Sequence, residues 1–292
     1  MKALITADWH LRADRPRCRT DEDWIHTQGE ILAAIVEAAN ARGCPVCAIG
    51  DLFHSPQVPS RILGMALSVV FSAQHGLYVI AGQHDLPYHN WDNVGSASFG
   101  ILRILQDAEH VHHLHDLGQA AHFGQELDGP ENGIVFVHQL TFPDVKDMPP
   151  NVDAMTAAEL LEAHPGARWI FTGDYHRAFH YERDGRHVIN PGCITRQAAD
   201  FKDYQPRVCY VDTEVGTVEW IDLPDVSPVV VDEYLKDEQA REDRITAFVE
   251  SVRNSGTMSL DFLGNLNAAI QANPDLEPGV VRTIHNLIES EG

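Results

Sequence analysis

The sequence predicts an α/β protein: a two-sheet sandwich flanked by helices, with a small C-terminal helical segment. Three observations predict it. Short apolar runs alternate with stretches of helical periodicity over the first two hundred residues. Residues 179–223 change to short strands separated by Asp-Gly and Val-Gly turns. Beyond Pro224 and Pro228 the chain becomes charged, with apolar stripes at helical spacing.

Strands are expected at 3–6, 46–49, 77–80, 134–137 and 169–172, each a short run of apolar residues. Between the first two, Thr20 and Asp23 read as the N-cap and N3 of a helix that carries Ile31, Ile35 and Ala39. Residues 59–73 read as a second helix. This βαβ rhythm implies parallel strands with right-handed crossovers. "HYERDGRHVIN" reads as a hairpin about its Asp-Gly turn. Three helical stripes follow, at 232–254, 260–270 and 280–288. The expected division is therefore a main domain at 1–224 and a helical segment at 225–292.

Composition narrows the function. At 292 residues, 44% hydrophobic and 22% charged, the chain is an ordinary globular protein able to bury a large core. No apolar run is long enough to span a membrane, and Asp8 and His10 come too early for a signal peptide. The expectation is a cytoplasmic protein without a membrane partner. The net charge of −22 is unfavourable for a bare phosphate-binding surface, unless bound cations or a partner supply positive charge. Five cysteines make no disulfide framework. Cys44 and Cys47 match C-x-x-C but lie on an expected buried strand, which favours packing over redox chemistry.

Residues capable of chemistry recur at one kind of place, just after a strand. The five strand ends carry Asp8-Trp9-His10, Gly50-Asp51, Gly82-Gln83-His84-Asp85, His138-Gln139 and Gly173-Asp174-Tyr175-His176. Ligands of open α/β sheets bind beyond the carboxyl ends of the strands, so five such ends aim their side chains at one cleft. The glycines are expected to let the backbone turn sharply there. Each piece alone is weak; the ordered set points to a metal site.

In order, D-x-H, G-D, G-Q-H-D, a lone His and G-D-x-H resemble the signature of calcineurin-like metallophosphoesterases, across Asp8 to His176. "ADWHL", "GDLFHSPQVPS", "GQHDLPYHN" and "INPGCITRQAADF" are similar to the SbcD family of DNA-repair nucleases and to the nuclease subunit of phage recombination complexes. The resemblance implies two divalent cations, manganese first and magnesium as the alternative. One would take Asp8, His10, Asp51 and His176; the other would take Asp51, Gln83, His138 and Asp174, with Asp51 bridging. Two such ions about 3.5–4 Å apart can clamp a phosphodiester and activate a water. His84 would serve the leaving group, with Asp85 orienting its imidazole.

Two positions depart from that signature. Gln83 stands where the family has Asn, and Asp174 where it usually has His. Both fall on the same metal: Gln83 preserves the amide oxygen one methylene further out, and the Asp174 carboxylate replaces an imidazole, giving a more oxygen-rich site that favours manganese or magnesium over zinc. His54 receives no role. The stretch His110, His112, His113 and His115 reads as strand or loop alternation, with metal binding as the other reading. Arg196 could reach a substrate phosphate or pair with an acidic neighbour.

The resemblance implies a DNA exo- and endonuclease subunit that works with an SbcC-type coiled-coil ATPase, docked through C-terminal helices, with a homodimer as a further assembly it allows. The competing readings are a phosphoesterase acting on nucleotides or phosphoproteins, and a non-catalytic assembly subunit.

Overall fold

Five apolar runs become strands where the pattern places them, and their order in space explains why they are so uniformly apolar. The computed structural model describes residues 1–107 and 110–224, with 270–273, 276 and 281. The chain divides into two units, Met1–Val231 and Asp232–Gly292. The helical stripes expected at 232–288, and the docking role given to them, lie outside the described residues except at those isolated positions.

The first unit opens with β1 (Lys2–Thr6), α1 (Trp24–Arg42), β2 (Val46–Ile49), α2 (Ser60–Ser72), β3 (Leu77–Ile80), α3 (Phe99–Asp107), β4 (His112–His113) and β5 (Gln119–Ala121). It continues with β6 (Ile134–Val137), β7 (Thr141–Phe142), β8 (Met155–Thr156), α4 (Ala157–Ala163) and β9 (Trp169–Thr172). The hairpin β10 (Phe179–Arg183) and β11 (Arg186–Asn190) follows, then β12 (Arg207–Asp212) and β13 (Thr217–Asp222). A six-stranded sheet has the order β13-β12-β1-β2-β3-β4, and a five-stranded sheet the order β10-β11-β9-β6-β5. Within them β1–β2, β2–β3, β6–β9 and β9–β11 are parallel.

The two sheets pack face to face. Ala3, Ile5, Cys47, Ile49 and Ile80 of the first meet Phe136, Trp169, Phe171 and Ile189 of the second. The alternate residues Leu4, Val46, Ala48 and Val79 turn outward against Ile35 and Ala39 of α1 and Ala66 and Val69 of α2. Val135, Ile170 and Val188 are covered by Leu160 and Leu161 of α4. Each inner strand is thus buried on both faces, and for that reason reads as a continuous apolar run rather than an alternation.

The start of α1 differs from the sequence expectation. Asp23 is itself the N-cap, with its side chain accepting from the His26 amide at 3.0 Å, and the helix begins at Trp24. Trp24 is buried, so packing starts the helix one residue past Asp23 and leaves Thr20 outside it. Among the described residues no helix is long and apolar enough to cross a membrane.

Candidate metal centre

Parallel pairing sends the carboxyl ends of β1, β2 and β3 to one edge of the first sheet, and those of β6 and β9 to one edge of the second. A parallel bridge between Ala7 and Cys193 joins the two sheets. Asp8, His10, Asp51 and Asp174 have φ of 51°, 44°, 51° and 73°, in the left-handed region. Such conformations cost on the order of 1–2 kcal/mol each for residues other than glycine. Backbone bonds hold them: the Asp8 amide donates to the Gly50 carbonyl at 3.2 Å, and the His10 amide to the Asp51 carbonyl at 2.9 Å.

Five of the seven predicted ligands form one donor cluster, buried except for the half-buried His176. Ligand atoms of Asp8, His10 and His176 lie within 4.8 Å of one another, as do those of Asp8, Asp51 and His138. His10 Nε2 and His176 Nε2 face each other at 3.1 Å. His138 Nε2 stands 3.2 Å from Asp51 Oδ2 and 3.9 Å from Asp8 Oδ1. Beyond that ion pair, His138 Nε2 and Asp51 Oδ2 are both buried with no well-formed hydrogen bond. Buried polar atoms almost always have partners. Unpartnered nitrogen and oxygen atoms aimed at a shared point are what a divalent cation requires.

His138 is prepared for that role by its surroundings. Its Nδ1 lies 2.7 Å from the Ile49 carbonyl oxygen. A carbonyl only accepts, so Nδ1 carries the proton and Nε2 is the coordinating atom. The ring sits between two glycines. A Cβ on Gly173 would fall 2.6 Å from both His138 Nδ1 and Ile49 O, and a Cβ on Gly50 would also strike the ring. A Cβ on Gly82 would strike Asp51. Gly82 and Gly173 provide close approach, Gly82 with an ordinary φ of −93°, and Gly50, at φ 73°, provides the sharp turn as well.

Electrostatics agrees with this arrangement. Burial raises the Asp8 pKa well above the usual carboxylate range. Burial opposes charge on His138, but Asp51 and Asp8 carry its pKa up to about 10. Burial likewise opposes charge on Asp51, yet His138 and His10 hold its pKa below the usual range. The carboxylate pair draws positive charge into a site with no lysine or arginine in the donor set.

The two departures from the family signature touch each other. Gln83 Nε2 donates to Asp174 Oδ1 at 2.6 Å. A carboxylate only accepts, so the amide nitrogen must face Asp174, and Oε1 is left buried without a partner. The Asp174 amide in turn donates to both Asp8 oxygens, at 3.1 and 3.2 Å. Among the described residues, the Asp174 carboxylate joins none of the donor clusters; its Oδ1 holds Gln83. Asp174→Ala is expected to weaken manganese binding about 10–100-fold, the loss usual for a residue that orients a ligand. Calorimetric titration of the metal-free protein measures it.

His84 and Asp85 part company. The three residues Gln83–Asp85 form a 3-10 turn, which rotates successive side chains to different sides. Asp85 is fully buried and accepts from the amides of Leu52, Phe53 and Gly82 at 3.2, 2.9 and 3.0 Å. It ties the β2 and β3 loops together and does not orient His84, which corrects that expectation. Burial and nearby Asp51 push its pKa up to about 7. His84 is positioned by a residue given no role from sequence. Its Nδ1 lies 3.2 Å from the His54 carbonyl oxygen, and the two rings stack 5.9 Å apart at 14°. The His84 amide donates to Asp51 Oδ1 at 2.8 Å. A His84 ring nitrogen lies within 4.8 Å of ligand atoms of His10 and Asp51.

The remaining candidates lie elsewhere. Arg196 is buried and donates to the Lys202 carbonyl at 2.8 Å. Among the described residues, no three metal-donor groups converge on His110, His112, His113 and His115. Cys44 and Cys47 are free and buried, and burial pushes the Cys44 thiol up to about 11. A trio not found from sequence, His180, Glu182 and His187, lies on the β10–β11 hairpin, where His180 Nε2 and His187 Nδ1 are 3.0 Å apart.

Fold and site together define a two-sheet α/β sandwich whose strand ends enclose a donor set fitted to divalent cations. Similar solved structures include an archaeal phosphodiesterase, 16% identical, matching 76% of this chain and 100% of its own, with a TM-score of 0.43. Vps29 of Entamoeba histolytica in complex with zinc is 12% identical over 76% of this chain and 99% of its own, with a TM-score of 0.36. A hypothetical protein of Pyrococcus horikoshii is 10% identical over 83% of this chain and 93% of its own, with a TM-score of 0.41. No family model and no curated protein matches the chain.

Proposed function

We propose that the protein is a two-metal phosphodiester hydrolase acting on DNA, as the nuclease subunit of an assembly with an SbcC-type ATPase. The observation that carries the hydrolase reading is the convergence of Asp8, His10, Asp51, His138 and His176, from four strand ends, with His84 beside them. The DNA reading rests on the resemblance around Gln83 to Asn90 and on "INPGCITRQAADF". The net charge of −22 is why an ATPase partner is part of the proposal.

Asp8, His10, Asp51 and His176 would hold one cation; Asp51, His138 and the free Oε1 of Gln83 the other. Bound there, the cations supply an activated water and neutralise charge at phosphorus. Carboxylate and amide oxygens among the donors favour manganese or magnesium. His84, with Nδ1 held by a carbonyl, presents Nε2 to the leaving group and protonates it. Asp85 keeps the β2 and β3 loops in register, so Asp51 and His84 stay together.

Cleavage of labelled duplex and single-stranded DNA with manganese tests the reading, beside a chromogenic phosphodiester. Metal-dependent DNA cleavage, lost in His84→Ala, is expected. Turnover of the small ester alone would replace DNA with a nucleotide substrate. Metal binding with no turnover, even with the ATPase, would leave an assembly subunit.

A further inference from the structure

Two cavities flank the donor cluster, and their chemistry differs. One, of about 270 Å³, is lined by His10, Arg12, His54, His84 and His176. The other, of about 550 Å³, has Gln83, His138 and Asp174 as one wall. The rest of this second cavity includes Phe123, Leu140, Met155 and His89, with Gln139 and Asp153.

Among the described residues, no lysine or arginine lines the larger cavity. Asp153 and Asp174 repel a further phosphate there. Phe123 and His89 instead border it as aromatic rings set edge to face, with centroids 6.4 Å apart and planes at 66°, and Leu140 and Met155 extend an apolar surface. Gln139 and Asp153 supply acceptors for N–H groups. A flat, uncharged ring with N–H on its edge is the group that fits such a lining.

The turn that presents His89 is strained. Tyr88 and His89 have φ of 56° and 53° in succession. Bonds on both sides hold them: the His89 amide donates to the Leu86 carbonyl at 3.0 Å, and His89 Nδ1 lies 3.0 Å from the Gln83 carbonyl. Strain of this kind persists where surrounding structure over-determines it, and it clusters at ligand clamps. Phe123, edge to face with His89, is anchored by its amide, which donates to the Ala81 carbonyl at 2.9 Å, just past β3.

We propose that this cavity is a nucleobase subsite. It takes the base of the nucleotide that stays on the reacting phosphorus, while the leaving group departs on the His84 side. Bases with an exocyclic amino group are preferred, because Asp153 accepts from them. The proposal rests on the phosphodiesterase reading and adds to it the place where the substrate's base binds.

The test compares nucleoside 5′-(p-nitrophenyl) phosphates with methyl p-nitrophenyl phosphate, in manganese, for wild type, Phe123→Ala and Phe123→Leu. Phe123→Leu keeps apolar volume without a ring, and thermal melting checks that each variant folds. The wild-type ratio of kcat/KM, nucleoside ester over methyl ester, is expected to fall about tenfold in both variants, the loss of one base–aromatic stack. Adenosine monophosphate binding to the manganese-loaded protein, by calorimetry, is expected to weaken by the same factor. An unchanged ratio with unchanged binding would overturn the subsite and leave the hydrolase reading intact. No turnover of either ester, together with no cleavage of DNA, would overturn the hydrolase reading. In that case, calorimetry alone decides the subsite.

Discussion

Asp51→Asn is expected to abolish metal-dependent hydrolysis, with a fall in kcat of at least about a thousandfold, and to erase stabilisation by manganese. Asp51 is the point where the donor set closes. It is fully buried, its Oδ2 lies 3.7 Å from His10 Nε2 and 3.2 Å from His138 Nε2, and its Oδ1 accepts the His84 amide. An amide in its place keeps one oxygen and loses the charge that two cations would share. A cation present at a hundred times its Kd stabilises the folded state by about 2.7 kcal/mol. In a unit of this size that is about 5–11 °C in Tm. Melting with and without manganese reads it directly. Wild type should show the rise and Asp51→Asn should not. A variant that still rose by the full amount would remove Asp51 from the cation site.

His84→Ala is expected to cost about 10²–10⁴ in kcat on DNA, the usual contribution of a positioned general acid. It should cost far less on a p-nitrophenyl ester, whose leaving group departs without a proton. Binding of manganese should persist. The comparison is decisive because His84 also comes within reach of His10 and Asp51. Equal losses on both substrates, with weakened metal binding, would make His84 a ligand. Unequal losses with intact metal binding would make it the acid. The His54 contact sharpens this: a ring whose Nδ1 faces a carbonyl can deliver only an Nε2 proton.

Much of this was legible in the chain. Strands buried on both faces announce themselves as short apolar runs, and a polar cluster straight after each one has no structural reason to recur five times. That pattern marks where Asp8, His10, Asp51, His138 and His176 stand, and the resemblance to the metallophosphoesterase signature implies which of the polar residues there are ligands. The fold class followed from the same runs and from the hairpin that ends at Asn190.

What sequence could not determine was the direction of side chains within turns and the identity of backbone partners. Asp85 follows His84 directly, which invited pairing them; the 3-10 turn sends its carboxylate to three amides of two loops. His54 acts through its carbonyl, an atom every residue carries, so nothing in its type could reveal it. Gln83 and Asp174 are ninety-one positions apart, and only the packing of two sheets brings them to one hydrogen bond. The glycines showed that space was needed, but the ring that fills it comes from another strand. Ligand identity is a property of residue type and position along a strand, which sequence determines. Ligand orientation depends on contacts between strands distant in the chain, and only the tertiary structure decides those.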